Sequence, residues 1–377
     1  MHPMVKPALR QAWRDLQYVQ CGVAPAPAVV VGPVDTPAGS LLGLLDGTRG
    51  IGLLREEARA LGVPDERLEG LLARLAAAGL LDDTTSGDPA VEPVRRRPGA
   101  LDRLRADLAS MSVVHREPGG AIRRLAARAG TRVQVRGAGR VGAAVAALLS
   151  AAGVGRVEVR DGGCVEPWDV TPGGLPAESV GERRDVSARG LVSRAATGTG
   201  ARSATGQRRA GPGGGRAEPV LSLVVVAPRD GLEAYAPDPV TADRWVETGT
   251  PHLFAGVLEA TGVVGPLVLP GGTACARCVD LHRTDRDPAW PRLTAQWRSG
   301  RRRPGPAGDV ALASAVAGLA AAHALAFLDG EEPASAGARW EVASPLLAWR
   351  SEQVEPHADC RCGAAVGAEQ QQATMAG

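Results

Sequence analysis

A strand, a glycine-rich loop, a helix and a second strand follow one another within residues 132–161, and few folds accommodate that order. The alternating run 132–136 predicts a strand, and the apolar positions of 141–152 give the helix one buried face. A second alternating run, 156–160, leads into Asp161. The order and tight spacing predict a nucleotide-binding type of strand–loop–helix unit, followed by a neighbouring strand with an acid at its end.

The loop has the pattern Gly137-x-Gly139-x-x-Gly142, which fits a dinucleotide-binding fingerprint. The first glycine allows a tight turn, the second lets backbone amides approach a phosphate, and the third lets the helix pack closely on the strand. The N-terminus of that helix offers N–H groups to an anion, and we count Arg140 among the candidate nucleotide-binding residues. Asp161, 24 residues after Gly137, could accept hydrogen bonds from ribose hydroxyls. The alternative is a core that has lost its nucleotide and keeps the glycines for packing.

Further segments extend this core: a buried strand at 221–227, a hairpin at 254–258 and 263–269, a helix at 309–328 and a short strand near 340–342. Residues 310–328 carry no formal charge, but alanine dominates them, so we interpret the segment as a buried helix and expect no membrane span. The fold class predicted from these patterns is α/β, with a Rossmann-like, mostly parallel sheet and helices on both faces.

The domain boundaries follow from changes in composition along the chain. Two short strands, at 16–20 and 28–31, and three helical runs predict a small winged-helix-like domain over 7–82. The remaining predicted boundaries are a linker at 83–100, a main domain at 101–365, a disordered glycine-rich insertion at 195–218 and a flexible tail at 366–377.

Four cysteines form two close pairs, Cys275/Cys278 and Cys360/Cys362, about 80 residues apart. Four thiolates suit tetrahedral zinc, and a site saturated with protein ligands is structural rather than catalytic. The second pair is C-x-C, tighter than the usual C-x-x-C, and His357 is an alternative ligand for one of the thiols. Four unrelated buried cysteines are the other interpretation.

Composition excludes several classes of protein. Lys+Arg is 43 and Asp+Glu is 41, so the net charge of +2 gives no reason to expect binding to nucleic acid. Six cysteines are too few for a disulfide scaffold, and the N-terminus lacks the apolar core of a signal peptide, so we expect a cytoplasmic protein. We expect the two remaining cysteines, Cys21 and Cys164, to be free thiols that behave as small hydrophobic side chains.

With these motifs, the chain resembles the ThiF/MoeB/ubiquitin-activating-enzyme superfamily. The matching segments are 135–142, 152–161 and the two cysteine pairs, and the resemblance covers roughly residues 110–365. Within that superfamily, 264–271 and 280–291 are similar to an actinobacterial branch akin to the partner proteins of azole-forming cyclodehydratases. The N-terminal domain is similar to the winged helix with which that branch captures a leader peptide.

The resemblance implies a function and a set of site residues. Members of the activating type bind ATP and magnesium and adenylate the carboxylate of a peptide or small protein, and the resemblance also implies a homodimer. Gly137, Gly139 and Gly142 would hold phosphate, Asp161 would hold ribose, and Arg184 falls where the family has a phosphate-binding lysine.

Two departures from the family pattern stand against full activity. The segment 165–174, after the ribose acid, lacks the arginine that the family supplies to ATP, and the nearest candidate for the magnesium acid, Asp230, is displaced by several positions. Two hypotheses follow. One is an adenylyltransferase, and the other is a non-catalytic scaffold that presents a precursor peptide to a partner cyclodehydratase.

Overall fold

The computed structural model describes residues 1–83, 87–198, 220–299 and 307–365. The chain divides into two compact units, Met1–Arg128 and Ala129–Gly377. Apart from its first four residues, the insertion predicted at 195–218 lies outside the described residues, and so does the tail predicted at 366–377.

The first unit contains two small antiparallel sheets and seven helices among its described residues. One sheet pairs β1 with β5, and the other has the order β2-β3-β4. The elements are β1 (Pro3–Val5), β2 (Gln11–Trp13), β3 (Val19–Cys21), β4 (Val29–Val31), α1 (Thr36–Leu44), α2 (Ile51–Ala60), α3 (Asp65–Ala77), β5 (Leu81–Asp83), α4 (Glu92–Arg95), α5 (Pro98–Arg103), α6 (Arg105–Val114) and α7 (Gly120–Arg128).

The helix α3 shows how leucine spacing builds this unit. Its buried residues are Leu68, Leu71, Leu72 and Leu75, which are the positions that the sequence places on one face. The chain leaves the helix through Gly79, whose φ of +72° is a conformation that glycine adopts without strain.

The strands of the first unit differ in part from the predicted hairpin. The predicted strand at 16–20 is β3 at Val19–Cys21, and the one at 28–31 is β4 at Val29–Val31. A third strand, β2, pairs with β3, while β1 and β5 form a separate ladder. The additional strands β1 and β2 are three residues long, too short for an alternating pattern to reveal them.

The segment predicted as a linker, 83–100, is partly helical. It contains α4 and the beginning of α5, and Val91 and Val94 within it are buried. Prolines at the first positions of these helices suggested a loop, but proline is also favoured in the first turn of a helix. The compact unit continues through α6 and α7 to Arg128.

The second unit is built around one seven-stranded sheet. Its elements are β6 (Arg132–Arg136), α8 (Arg140–Ala151), β7 (Arg156–Arg160), α9 (Arg184–Ala195), β8 (Leu223–Val226), α10 (Leu232–Tyr235), α11 (Pro239–Glu247), β9 (His252–Leu258), β10 (Thr261–Val268), α12 (Ala276–Arg286), α13 (Trp290–Ser299), α14 (Val310–Leu328), β11 (Ala338–Ala343) and β12 (Arg350–Gln353).

The order of the sheet is β12-β11-β10-β9-β8-β6-β7. The four strands β7, β6, β8 and β9 pair in parallel, and the antiparallel pairings of β10 with β9, β11 with β10 and β12 with β11 complete the sheet. Strand β11 therefore has the direction of the parallel group, and five of the seven strands point the same way. The predicted α/β fold with a mostly parallel sheet is confirmed.

Alternate residues of the central strands enter two different cores. Val225 of β8 packs in the core that includes α8 and α14, whereas Val224 and Val226 pack in a second core with Trp245 of α11 and Cys278 of α12. Helices therefore cover both faces, as near-continuous apolar strands of a parallel sheet require.

The helix α14 begins where the Asp309 carboxylate accepts a hydrogen bond from the Leu312 N–H, at 2.9 Å. Among the described helices, α14 alone is long and apolar enough to cross a membrane. Seven of its nineteen residues are buried, and the helix packs against α8, β9 and β10. The buried face of α14 therefore belongs to the core of the α/β unit.

Candidate functional site

The glycine loop lies between β6 and α8, and two of its glycines are required by packing. Gly137 has a φ of +104°, and a Cβ atom there would lie 1.9 Å from the Ala227 carbonyl oxygen. A Cβ at Gly142 would lie 2.1 Å from the Gly137 carbonyl oxygen. Both distances are far below van der Waals contact, so these two glycines would be needed with or without a ligand.

The third glycine, Gly139, is the N-cap residue of α8. Among the described residues no side chain caps this helix end, so its first N–H groups are available to an anion there. A Cβ at Gly139 would lie 3.1 Å from Cα and Cγ of Arg229, which is tight but not prohibitive. This glycine is the one that packing alone explains least, and the helix end beside it has the properties of a phosphate site.

Asp161 supports the glycine loop directly. Its Oδ2 accepts a hydrogen bond from the Ala138 N–H at 2.8 Å, and its Oδ1 accepts from the Gly163 N–H at 3.0 Å and from Arg184 Nε at 2.9 Å. The side chains of Asp161 and Arg184 are 8% and 9% exposed. A carboxylate has about four acceptor positions, so three are occupied and about one remains for a ligand.

Arg184 is held over this loop from the start of α9. Besides Asp161, its Nη1 donates to the Cys164 carbonyl oxygen at 2.5 Å and reaches Asp169 Oδ2 at 3.4 Å. A Cβ at Gly163 would lie 2.0 Å from Arg184 Nη2, so glycine at that position leaves room for the guanidinium. The family resemblance gives Arg184 the place of a phosphate-binding lysine, and in the structure Arg184 and Asp161 form a buried ion pair.

A second arginine, Arg229, was missed by sequence reasoning. It follows β8, and its Nε donates to Asp169 Oδ1 at 2.6 Å while Nη2 pairs with the Glu166 carboxylate. Its guanidinium also stacks on the Trp168 ring, with 5.7 Å to the ring centre. The available signal was its place just after a buried strand of a parallel sheet, where ligand-binding side chains gather.

Arg140 lies at the first position of α8 and has a different environment. Its Nε donates to the Trp168 carbonyl oxygen at 2.6 Å, and its Nη1 donates to the Gly308 carbonyl oxygen at 2.9 Å. In the described part of the chain it forms no ion pair with a carboxylate. Arg140 and Arg229 both line one pocket with Val257 and Ala313, beside the α8 N-terminus.

Three carboxylates near the loop are the candidates for the magnesium ion that the family resemblance implies. Asp230 is exposed, and its Oδ1 accepts from the Leu232 N–H at 3.3 Å, at the first residue of α10. Asp169 and Glu166 are both paired with Arg229. Of these three acids, only Asp230 therefore keeps most of its acceptor positions open, and it is the one displaced from the family pattern.

The four cysteines predicted to bind metal lie together. Their Sγ atoms are all within 4.8 Å of one another, with Cys275–Cys278 at 3.9 Å and Cys275–Cys360 and Cys278–Cys362 each at 3.6 Å. A tetrahedral zinc with bonds of about 2.3 Å would need sulfur atoms about 3.8 Å apart. These separations exceed the disulfide length of about 2.05 Å, so the cluster has the geometry of a metal site.

The cluster also needs positive charge to be fully ionised. A hydrogen bond from the Cys275 thiol lowers the pKa of Cys278 to about 4, and the same hydrogen bond together with burial raises the pKa of Cys275. Burial raises the pKa of Cys360 to about 12. Ionisation of the Cys278 thiol thus makes ionisation of the neighbouring thiols less favourable. A bound dication would stabilise all four thiolates.

His357 does not replace a thiol in this cluster. Its Nε2 contacts Asp285 Oδ2 at 2.8 Å, and its Nδ1 accepts a hydrogen bond from the Asp359 N–H at 3.0 Å. The four sulfur atoms already complete a ligand set, which is why the imidazole is directed elsewhere.

The remaining cysteines differ from each other. Cys21 is buried on β3, and burial raises the pKa of its thiol, as expected for a small hydrophobic side chain. Cys164 is exposed, so the expectation of a hydrophobic role is wrong for this residue. Its loop is held at the surface because its carbonyl oxygen accepts from Arg184.

Comparison with solved structures identifies several folds like this one. E. coli MccB, a microcin C7 biosynthetic enzyme, is 15% identical with a TM-score of 0.66 in its complex with N-formylated MccA, covering 96% of this chain and 100% of MccB. The ATP complex of E. coli MccB has a TM-score of 0.65 at 15% identity, with the same coverage. PaaA is 16% identical with a TM-score of 0.66, covering 93% of this chain and 99% of PaaA.

No curated protein sequence matches the chain significantly. The model of the ThiF family matches residues 122–364, which is well over half of the chain and includes the glycine loop and the cysteine cluster. The family predicted from the sequence is therefore confirmed, and the chain belongs to the ThiF family.

Proposed function

We propose that this chain is a ThiF-type adenylyltransferase that uses ATP to activate a carboxylate of a peptide or small protein. The observation that carries the proposal is the N-terminus of α8, which no side chain of the described segments caps and which lies beside Arg140 and the Asp161–Arg184 pair. The likeness to MccB, solved with ATP and with MccA, extends over nearly the whole chain and supports a substrate of this kind.

In this reaction a carboxylate oxygen forms a bond to the α-phosphorus of ATP, the bond to the bridging oxygen breaks, and pyrophosphate leaves with its electron pair. A carboxylate is already ionised near pH 7, so no side chain has to accept a proton. The protein must instead position the phosphates and stabilise their charge. The N–H groups at Gly139 and Arg140 and the guanidinium groups of Arg140 and Arg184 would do this, while Asp161 would accept from ribose.

A second candidate function is a peptide-binding scaffold without catalysis. The observation that favours it is the pairing of Asp161 with Arg184 and of Asp169 with Arg229, because charges that neutralise each other are less available to a nucleotide. In this case the chain would present a precursor peptide to a partner cyclodehydratase.

Calorimetry with ATP, run beside ATP–pyrophosphate exchange, separates the two functions. Binding together with exchange in the presence of candidate peptides is the expected result for the adenylyltransferase. Binding without exchange would favour the scaffold. Absence of ATP binding, with and without magnesium, would contradict the nucleotide site and leave the glycines as packing residues.

We also propose that the first unit recognises the peptide by strand addition. Strand β4 is an edge of its sheet, because β3 pairs with it on one side and no described strand pairs on the other. The edge lies next to α3, since Arg74 Nη2 donates to the Gly32 carbonyl oxygen at 2.9 Å just after β4. An added strand would gain main-chain hydrogen bonds from β4 and side-chain contacts from α3.

Replacing Val30 by glutamate should weaken peptide binding by about tenfold or more, because the β4 edge would carry a new charge against the added strand. Val30 is 46% exposed, so its replacement should leave the fold intact. Ala12→Glu on β2, the opposite edge of the same sheet, is the matched control. Fluorescence anisotropy of labelled, genomically adjacent peptides on the full chain would measure both. Equal loss in both variants, or none in Val30→Glu, would contradict the β4 assignment.

Two further parts of the proposal concern assembly. The four-cysteine cluster is proposed to hold one structural zinc ion, since four thiolates at these separations favour tetrahedral zinc over hard cations. A homodimer, implied by the family resemblance, is the proposed oligomeric state, and light scattering of the purified chain would determine it.

A further inference from the structure

Arg339 is the largest fully buried side chain of the described chain, and it lacks a full set of partners. It lies on β11 and is 2% exposed. Its Nη1 donates to the Tyr235 carbonyl oxygen at 2.7 Å, but its Nη2 is buried and has no hydrogen-bond partner in the part of the chain that the structure describes. Its Nε contacts a Glu341 carboxylate oxygen at 2.5 Å without the alignment of a hydrogen bond.

A second guanidinium meets Arg339 at the same carbonyl. Arg283 of α12 donates from Nη1 to the Tyr235 oxygen at 2.8 Å, so the two Nη1 atoms can be at most 5.5 Å apart. Arg283 also lies between two aromatic rings, 4.8 Å from the centre of Tyr235 and 4.7 Å from that of Trp290. Burial and the nearby charge of Arg339 lower the pKa of Arg283 to about 10.

The charges around this pair do not balance. In the described chain, Glu341 forms an ion pair with Arg339, and Arg283 has no ion pair with a carboxylate. Asp280, on the same helix as Arg283, accepts a hydrogen bond from Trp290 Nε1 at 3.0 Å. Two guanidiniums therefore share one paired carboxylate in a largely desolvated place, where an uncompensated charge is strongly unfavourable.

Stacking on the aromatic rings explains part of this arrangement but not all of it. Arg339 is 4.3 Å from the centre of the Tyr235 ring, and such contacts stabilise a cation. They do not satisfy the N–H groups of Arg339 Nη2, which lie in the plane of the guanidinium. A buried N–H without an acceptor is unfavourable, so an acceptor from outside the described chain would complete the site.

We propose that Arg283 and Arg339 form a binding site for a carboxylate group. Guanidinium groups bind planar carboxylates through two parallel N–H donors, and Arg283, which is only partly buried, gives the anion access from solvent. Tyr235, which holds both arginines, ends the short helix α10 that begins three residues after Arg229. Identification of the ligand as an acidic side chain of the peptide substrate rests on the proposed function, whereas the site itself does not.

The test uses the full chain and succinate as the probe, with phosphate and chloride at equal ionic strength and pH 7.5. Succinate should raise the Tm above chloride, and Arg283→Gln should remove most of that increase. Glu341→Gln should enlarge the increase in Tm that succinate causes, because it removes the carboxylate that competes for Arg339. If the two arginines served packing alone, this larger increase would not occur. Arg286→Gln is the matched control, since Arg286 is exposed on the same helix and pairs with Glu352.

Arg339→Met would test the buried partner, and Arg283→Gln keeps the proposal testable if that variant does not fold. An increase that persists in Arg283→Gln would place the anion elsewhere and overturn the proposal. Stabilisation by phosphate alone would overturn the carboxylate assignment, as would the absence of any anion effect. None of these results depends on ATP, so a failure here is distinct from a failure of the proposed adenylyltransferase.

Discussion

Cys275→Ser is expected to abolish stoichiometric zinc binding and to unfold much of the second unit. Cys275 contacts both Cys278 and Cys360, so its loss leaves three thiols in a buried cluster that can no longer form the tetrahedral set. Structural zinc binding is also folding free energy, on the order of 10 kcal/mol in small metal domains. The second unit also has an apolar core that does not contain the cysteines, so only part of that amount should appear as lost stability.

Metal analysis of purified protein and thermal unfolding measure the two effects. The unchanged chain should contain one zinc per molecule, and the variant should contain close to none and melt at a much lower temperature. Cys164→Ser is the matched control, because Cys164 is exposed and outside the cluster. A zinc content near zero in the unchanged chain, with all cluster thiols reactive in the native state, would refute the assignment.

The parts of the fold that sequence predicted well are those with a strong local pattern. The strands at 132–136 and 156–160 have the predicted bounds, and α14 begins one residue after the predicted 309. The two strands alternate apolar and polar residues next to a glycine, whereas α14 is a nearly continuous apolar run that begins at a capping aspartate. The grouping of the four cysteines could also be predicted from the sequence, because two closely spaced cysteine pairs are typical of a metal site.

The elements that were missed have weak local patterns. Helices α12 and α13 contain many charged and polar residues, and β12 is exposed along its whole length. These segments are ordered by contacts with distant elements, since β12 pairs with β11 and α12 packs against α11. Periodicity cannot reveal a helix or strand whose stability comes from packing on distant residues.

The same limit applies to the candidate site. Sequence placed Asp161 and Arg184 near a nucleotide but assigned each of them to a ligand, whereas the structure pairs them with each other. Arg229 contacts Asp169, which is 60 positions away in the sequence, and no local sequence pattern predicts such a contact. The glycine pattern was informative about the turn, yet two of its three glycines serve packing irrespective of any ligand.

Asp161→Ala is expected to destabilise the second unit as well as to weaken ATP binding. The variant would leave the buried Arg184 guanidinium with the Cys164 carbonyl oxygen and with Asp169, at 3.4 Å, as its one remaining carboxylate among the described residues. It would also remove the acceptor of the Ala138 and Gly163 N–H groups. Breaking a buried ion pair from one side typically costs about 3–5 kcal/mol of folding stability. Loss of a ribose acceptor would cost about 1–3 kcal/mol of ATP binding.

The double variant Asp161→Ala/Arg184→Met separates the two roles. Removing both charges should recover part of the stability lost in Asp161→Ala, because no unpaired guanidinium remains buried, and a double-mutant cycle of denaturant midpoints measures this coupling. ATP binding should not recover, because both candidate ligands are then absent. Asp185→Ala is the matched control, since its partners Arg183 and Arg189 are both exposed and its loss should change stability little. If Asp161→Ala leaves stability unchanged and weakens only ATP binding, Asp161 is a ligand-binding residue without the structural role that its contacts indicate. If stability falls and ATP binding is retained, the ribose assignment is wrong and the carboxylate serves the loop alone.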